Sequence, residues 1–389
     1  LLPLRGRTVS PPHHTFILPK LEGRMTRFQP RWLPFAMGSL PHADVGKAWE
    51  TVLRYLPSIP SWPQLPRRAY RESMYAQFGE RFPGITVEDQ RVYVDRRKDL
   101  DAGLERLYLA YLEDEVDYGE LAESYAAGLH ALLAGRVTLP EGVTAVKGHV
   151  TGPISWGLTI VDQNQRPILY DEVLADAVGK HLRLKAAWQE RELARVFAHT
   201  IVMIDEPYMA SFGSSFVSLS RDQAIGLLEE VFAGLHGIKG VHCCGNTDWS
   251  VLLSTSTDIL SLDAYDYAET LALYPKEVAR YLERGGILAW GIVPSGPAIE
   301  SETVESLVER LHHAIALLVD KGVPEETLFG MGLVSPSCGL GSLKPDLVDR
   351  VLDLTAGVAA EMQRRYGADD ADEADDAGEA GEAMEAASE

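Results

Sequence analysis

Eight short apolar runs alternate with long amphipathic stretches along this chain, and that alternation restricts the fold more than any other feature. The runs are Leu33–Ser39, Ser58–Leu65, Ala145–Gly152, Thr200–Glu206, Gly237–Cys244, Asp258–Asp263, Gly286–Pro294 and Leu328–Pro336. Helical patterns lie between them at Asp44–Leu56, Leu100–Ala134, Tyr170–Ala198, Arg221–Leu235, Asp248–Ser254, Pro275–Arg284, Glu302–Lys321 and Pro345–Arg365. Strand followed by helix, repeated, builds parallel βαβ units. Eight units predict an α/β fold of the closed (β/α)₈ type, the TIM barrel. An open doubly wound sheet is the rival, but no G-x-G-x-x-G follows the first strand. Ile85–Val87 and Val92–Asp95 flank a four-residue turn, which predicts a small β-hairpin inserted after strand 2. No repeat of solenoid period is visible.

The 389 residues are read as one barrel domain over 25–366 with two appendages. Residues 1–24 are Pro-rich and irregular, and Met25 is a candidate start, so they are expected to form a flexible arm that need not be native. From Asp369 onward there are ten acidic residues and no basic one, so the tail supplies -10 of the net charge of -21. Such a block is expected to be disordered over 367–389. No basic stripe is available to neutralise phosphates, which excludes a nucleic-acid partner. No run of 18 apolar residues is present, so no membrane-spanning helix is expected. Three cysteines make no disulfide framework, and a cytoplasmic location is expected.

In a (β/α)₈ barrel the working residues lie at the C-terminal strand ends. Here those ends carry Ser39 and His42, Thr151, Asp205 and Glu206, His242 and Cys244, Asp263, and Cys338. Residues two apart on a strand face one side, so His242 and Cys244 can meet one metal while Cys243 points into the packing. Cys338 at the same rim completes a Zn²⁺ ligand set with an open position. Asp263 is either a fourth ligand or a helix N-cap. Asp205 and Glu206 are candidates to bind a substrate ammonium, or to cap the following loop. His42 and His149 are candidates for substrate contact and acid–base work, although a satisfied, partly buried histidine is the commoner situation. Trp156, Trp249 and Trp290 could shape a pocket, with packing the commoner role.

Five of these segments resemble, in order, the catalytic domain of cobalamin-independent methionine synthase. That domain belongs to a barrel group shared with uroporphyrinogen decarboxylase and coenzyme M methyltransferases. Met37-Gly38-Ser39-Leu40-Pro41 is similar to I-G-S-F-P, Val146–Pro153 to V-K-G-x-L-T-G-P, and Ile204-Asp205-Glu206-Pro207 to I-D-E-P. His242-Cys243-Cys244 matches H-x-C, and Ser337-Cys338-Gly339-Leu340 resembles D-C-G-L. The resemblance implies zinc on His242, Cys244 and Cys338, with Asp263 where the family has its ligand Glu. It also implies Asp205 on the amino group of homocysteine and Ser39 on its carboxylate. Zinc would hold the substrate sulfur as thiolate, which attacks a methyl group.

Two departures shape the expectation. The family's second amine-binding Glu is replaced near Arg68, and the strand-seven stretch Trp290–Gly296 has no histidine. Methyl-folate needs an acid at its leaving nitrogen, whereas a methylcorrinoid leaves as Co(I). The expected donor is therefore methylcobalamin, free or on a corrinoid protein partner, and the expected product is methionine. The alternatives are another thiol acceptor of the coenzyme M type, a metal-free decarboxylase like uroporphyrinogen decarboxylase, and a non-catalytic corrinoid- or metal-binding protein.

Overall fold

Parallel strands that are buried on both faces read as continuous apolar runs. Six of the eight runs form such strands in the structure, a computed structural model. It describes residues 28–214 and 217–367; the expected arm at 1–24, Met25 and the acidic tail lie outside the described residues. The inserted hairpin is β1 (Ile85–Glu88) and β2 (Arg91–Val94), paired antiparallel. The parallel sheet is β3 (Val146–Thr151), β4 (Thr200–Asp205), β5 (Ile238–Cys243), β6 (Ile259–Leu262), β7 (Ile287–Val293) and β8 (Gly332–Pro336).

The first two runs occupy the remaining positions of the ring as extended segments rather than regular strands. Trp32 N donates to Gly332 O, and Phe35 N to Val334 O, so the first run lies along β8. Gln64 N donates to Gly38 O, and Trp62 N to Lys147 O, so the second run bridges the first to β3. Pro34, Pro60 and Pro63 have no N–H to give a ladder, which limits these segments to isolated bridges. The architecture is a TIM-barrel-like α/β fold.

The predicted 100–134 helix is broken. It runs from Leu100 to Leu112, turns at Asp114 in a left-handed conformation (φ 52°), and resumes at Ala127–Leu133. A 3₁₀ turn at Val116–Gly119 packs in the gap against the 23-residue helix Glu172–Ala194. The last run starts at Gly332 rather than Leu328, because Glu325–Gly330 forms a short helix.

Alternation along the strands sorts residues into two cores. Ile201, Met203, Ile259, Ile287, Ala289 and Leu333 fill the lower barrel with Phe35 and Met37. The opposite faces pack under the helices in a larger cluster. The inward positions become polar towards the C-terminal rim. Register partners run Thr151–Asp205–His242–Ser261–Ala289 across β3 to β7, so a threonine, an acid, a histidine and a serine are lateral neighbours.

Candidate metal centre

His242 ends the inward row of β5, and Cys244 follows just past the strand end. Cys338 lies in the loop after β8. One ligand atom from each of the three lies within 4.8 Å of the others. The loop carrying Cys338 is pinned to the first run, since Leu340 N donates to Ser39 O (3.1 Å) and Gly341 N to Ser39 Oγ (3.4 Å). Gly339 is needed there, because a Cβ would stand 2.4 Å from Ser39 Oγ.

The imidazole is set up to act as a ligand. Its Nδ1 lies 3.0 Å from Ser261 Oγ, and Nε2 is buried with no partner. A hydroxyl can donate or accept, so Ser261 Oγ can receive an Nδ1–H whenever the ring carries its proton there. A cation held at Nε2 would leave the ring proton on Nδ1, where Ser261 Oγ is the acceptor within reach. The neighbouring Cys244 pulls the Cys338 thiol down against the effect of burial, while Cys244 itself is pushed up. Two cysteine sulfurs and one imidazole nitrogen form a donor set that suits a soft or borderline metal ion such as zinc. Cys243 faces the other way as expected: it is fully buried, donates to Gly245 O (3.5 Å) and is pushed up to about 12 by burial.

The ligands open into a cavity of about 410 Å³. Its walls include Ser39, Gln64, Ser73, Tyr75 and Asp205, with Met37, Met74, Pro66 and Pro207 supplying apolar surface. No lysine or arginine lines it among the described residues. Asp205 Oδ1 is buried without a partner, and burial raises the carboxyl to about 6 against the opposing pull of Lys147 and His242. A larger hollow of about 770 Å³ lies elsewhere, lined by Phe28, Phe197 and His199, and holds none of these ligands.

The other sequence candidates fall outside the cavity. Glu206 turns away from the barrel and caps the helix Pro153–Thr159, accepting from Ile154 N (2.9 Å), Ser155 N (2.8 Å) and Ser155 Oγ (2.5 Å). It caps, but not the loop that follows it as expected: the capped helix is the one after β3, about fifty residues earlier in the chain. Asp263 caps the helix Ala264–Leu271 through Asp266 N (3.0 Å) and is not part of the 4.8 Å cluster. His42 rests against the helix Val45–Tyr55, with Nε2 3.4 Å from Thr51 Oγ1. His149 points into the barrel but stacks on Trp62 (centroids 4.0 Å), and burial keeps it neutral. Trp156, Trp249 and Trp290 are fully buried packing residues. Arg68 pairs with the buried Glu72 (2.5 Å) rather than facing the cavity. Gln64, Ser73 and Ser261 were not singled out in the sequence. Only Ser261 carried a signal, as an inward residue on the strand beside His242.

No family model matches the sequence, and no curated protein matches it at a significant level. Solved structures do. A B12-independent methionine synthase from Shewanella sp. W3-18-1, in complex with selenomethionine, aligns with 18% identity and a TM-score of 0.54 over 86% of this chain and 98% of that one. A methyltransferase from Methanosarcina mazei aligns with 13% identity and a TM-score of 0.53 over 83% and 85%. The chain shares the fold of these enzymes over nearly the whole described barrel. No helix among the described residues is long and apolar enough to cross a membrane.

Proposed function

We propose that the protein is a zinc-dependent thiol methyltransferase that converts homocysteine to methionine with a methylcorrinoid as donor. The observation that carries this reading is the His242–Cys244–Cys338 cluster opening into the same cavity as the unpartnered Asp205 carboxylate. A zinc ion at the cluster, when bound, supplies the positive charge that keeps an incoming thiol ionised near neutral pH. Asp205 binds the ammonium of the acceptor, and Ser39 orients its carboxylate. The apolar wall from Met37 and Met74 excludes water from the sulfur. In the transfer a sulfur–methyl bond forms and the donor–methyl bond breaks, with its electron pair leaving on the donor.

The lining also supports an amino-acid thiol over a mercaptosulfonate. The wall has an unpartnered carboxylate and no cationic side chain among its described residues, so a purely anionic acceptor would face repulsion without a counter-charge. For the donor, the one imidazole on the cavity wall among the described residues is His242, which the metal would occupy. A folate nitrogen would then have no histidine to protonate it, whereas a methylcorrinoid needs no acid. A metal-free decarboxylase would leave the cluster without a use.

The test is methionine formation, followed by mass detection, from homocysteine with methylcobalamin or methyl-folate as alternative donors, alongside elemental analysis of the purified protein. Near-unit zinc and turnover with methylcobalamin alone are expected. Zinc-free protein, or equal rates with both donors, would contradict the reading.

A further inference from the structure

The cavity wall formed by the second run and the turn after it carries two neutral polar groups that the fold itself does not use. Ser73 stands at the N-cap position of the short helix Met74–Gln77 but makes no side-chain cap. Its hydroxyl is buried, has no partner and belongs to a residue that lines the cavity. Gln64 is oriented by a relay that ends on a main-chain carbonyl. Tyr125 O can only accept, so Gln77 must present Nε2 to it (2.6 Å). Gln77 Oε1 therefore faces Gln64 and accepts from its Nε2 (2.7 Å). The amide of Gln64 is thereby fixed, and Oε1 is its atom without a protein partner. Main-chain bonds Gln64 N to Gly38 O and Leu40 N to Gln64 O place it beside Ser39.

We propose that Gln64 and Ser73 are specificity-determining residues that read the polar end of the thiol acceptor. Gln64 Oε1 accepts a hydrogen bond from its ammonium, and Ser73 donates one to its carboxylate. The assignment rests on the proposed thiol-acceptor function and adds the groups that select among thiols. Gln64 is held in place by its relay before the acceptor arrives, so little of its ordering is lost on binding. Each unmet hydrogen bond to a charged group should cost roughly tenfold in affinity.

The experiment is calorimetric titration of zinc-loaded protein with homocysteine, with 3-aminopropanethiol (no carboxylate) and with 4-mercaptobutyrate (no amine). Ser73→Ala should weaken homocysteine and 4-mercaptobutyrate roughly tenfold and leave 3-aminopropanethiol unchanged. Gln64→Met should weaken homocysteine and 3-aminopropanethiol and leave 4-mercaptobutyrate unchanged. Ser73→Ala should also melt no lower than the wild type, because its hydroxyl has no partner to lose. Losses of equal size for all three thiols would mark the residues as structural and overturn the assignment, as would no loss at all. A wild type that binds homocysteine no better than propanethiol would instead overturn the proposed function, a failure visible before any variant is made.

Discussion

Ser261→Ala isolates the tautomer argument for the metal centre. Ser261 is fully buried, touches no substrate-facing surface of the cavity, and serves His242 through one contact of 3.0 Å to Nδ1. Alanine removes that acceptor and nothing larger than a hydroxyl. In the metal-free variant the imidazole can move its proton to Nε2, so the fold should melt close to the wild type. Binding a metal at Nε2 then forces an Nδ1–H that is buried and unpaired. An unpaired buried donor costs about 1–3 kcal/mol, and loss of such an orienting partner typically weakens metal affinity about 10–100-fold. The two figures agree, since each factor of ten is about 1.4 kcal/mol. The assay is zinc competition against a chromophoric chelator, with circular dichroism melts of the metal-free proteins as control. Zinc affinity within about twofold of wild type, with unchanged stability, would refute the reasoning, since an orienting partner is worth about tenfold or more.

Other expectations follow from single residues. Cys244→Ala and Cys338→Ala should each lose tight zinc, while Cys243→Ala should keep it, as elemental analysis will show, because Cys243 lies on the opposite face. Lys185 is fully buried and its ammonium is pulled down to about 7 by burial, so the unfolded chain holds this proton more tightly than the native one. Wild-type stability from this group therefore rises with pH above 7, and the advantage of Lys185→Met in urea melts should shrink by up to about 3 kcal/mol between pH 7 and pH 9. Ser61 and Ser335 are both buried, but Ser61 Oγ donates to Ala36 O (3.0 Å) and Ser335 Oγ has no partner. Ser61→Ala should cost about 0.5–1.5 kcal/mol and Ser335→Ala nothing; equal losses in thermal melts would show that Ser335 holds a partner.

How much could be read beforehand depended on periodicity. The inward and outward positions of β5 follow from residue spacing, so the opposed faces of Cys243 and its neighbours were legible from three letters. The rim rule brought Cys338 to the same place from about a hundred residues away. It failed where the chain leaves the strand axis. His42 is a few residues beyond its run, and the backbone has by then turned onto the helix Val45–Tyr55. His149 lies two residues before the end of β3, deep enough to stack on Trp62 instead of reaching the rim. Glu206 follows Asp205 by one residue and therefore faces the helices, where Gly152 leaves room for it; a Cβ there would stand 2.2 Å from its carboxylate. Gln64 and Ser73 were not legible because their stretch shows no period, and the placement of Gln64 depends on bonds to distant Gly38 and, through Gln77, to Tyr125.

The row of lateral neighbours also bears on the length of the acceptor. Asp205 and His242 are register partners on adjacent strands, and adjacent strands lie about 4.8 Å apart. Both residues line the same cavity, His242 as a member of the ligand cluster and Asp205 beside it. On the proposed function, the acceptor places its ammonium at Asp205 while its sulfur reaches the metal ligands beside His242. A thiol separated from its amine-bearing carbon by two methylenes spans such a gap, whereas cysteine is shorter by one. A single methylene of mismatch is worth about 1–3 kcal/mol, or roughly 10–200-fold in discrimination. Cysteine should accordingly compete poorly with homocysteine for the zinc-loaded protein, and lengthening the carboxylate arm in Asp205→Glu should narrow the difference. Equal inhibition by the two thiols would mean that Asp205 does not bind the ammonium while the sulfur is at the metal.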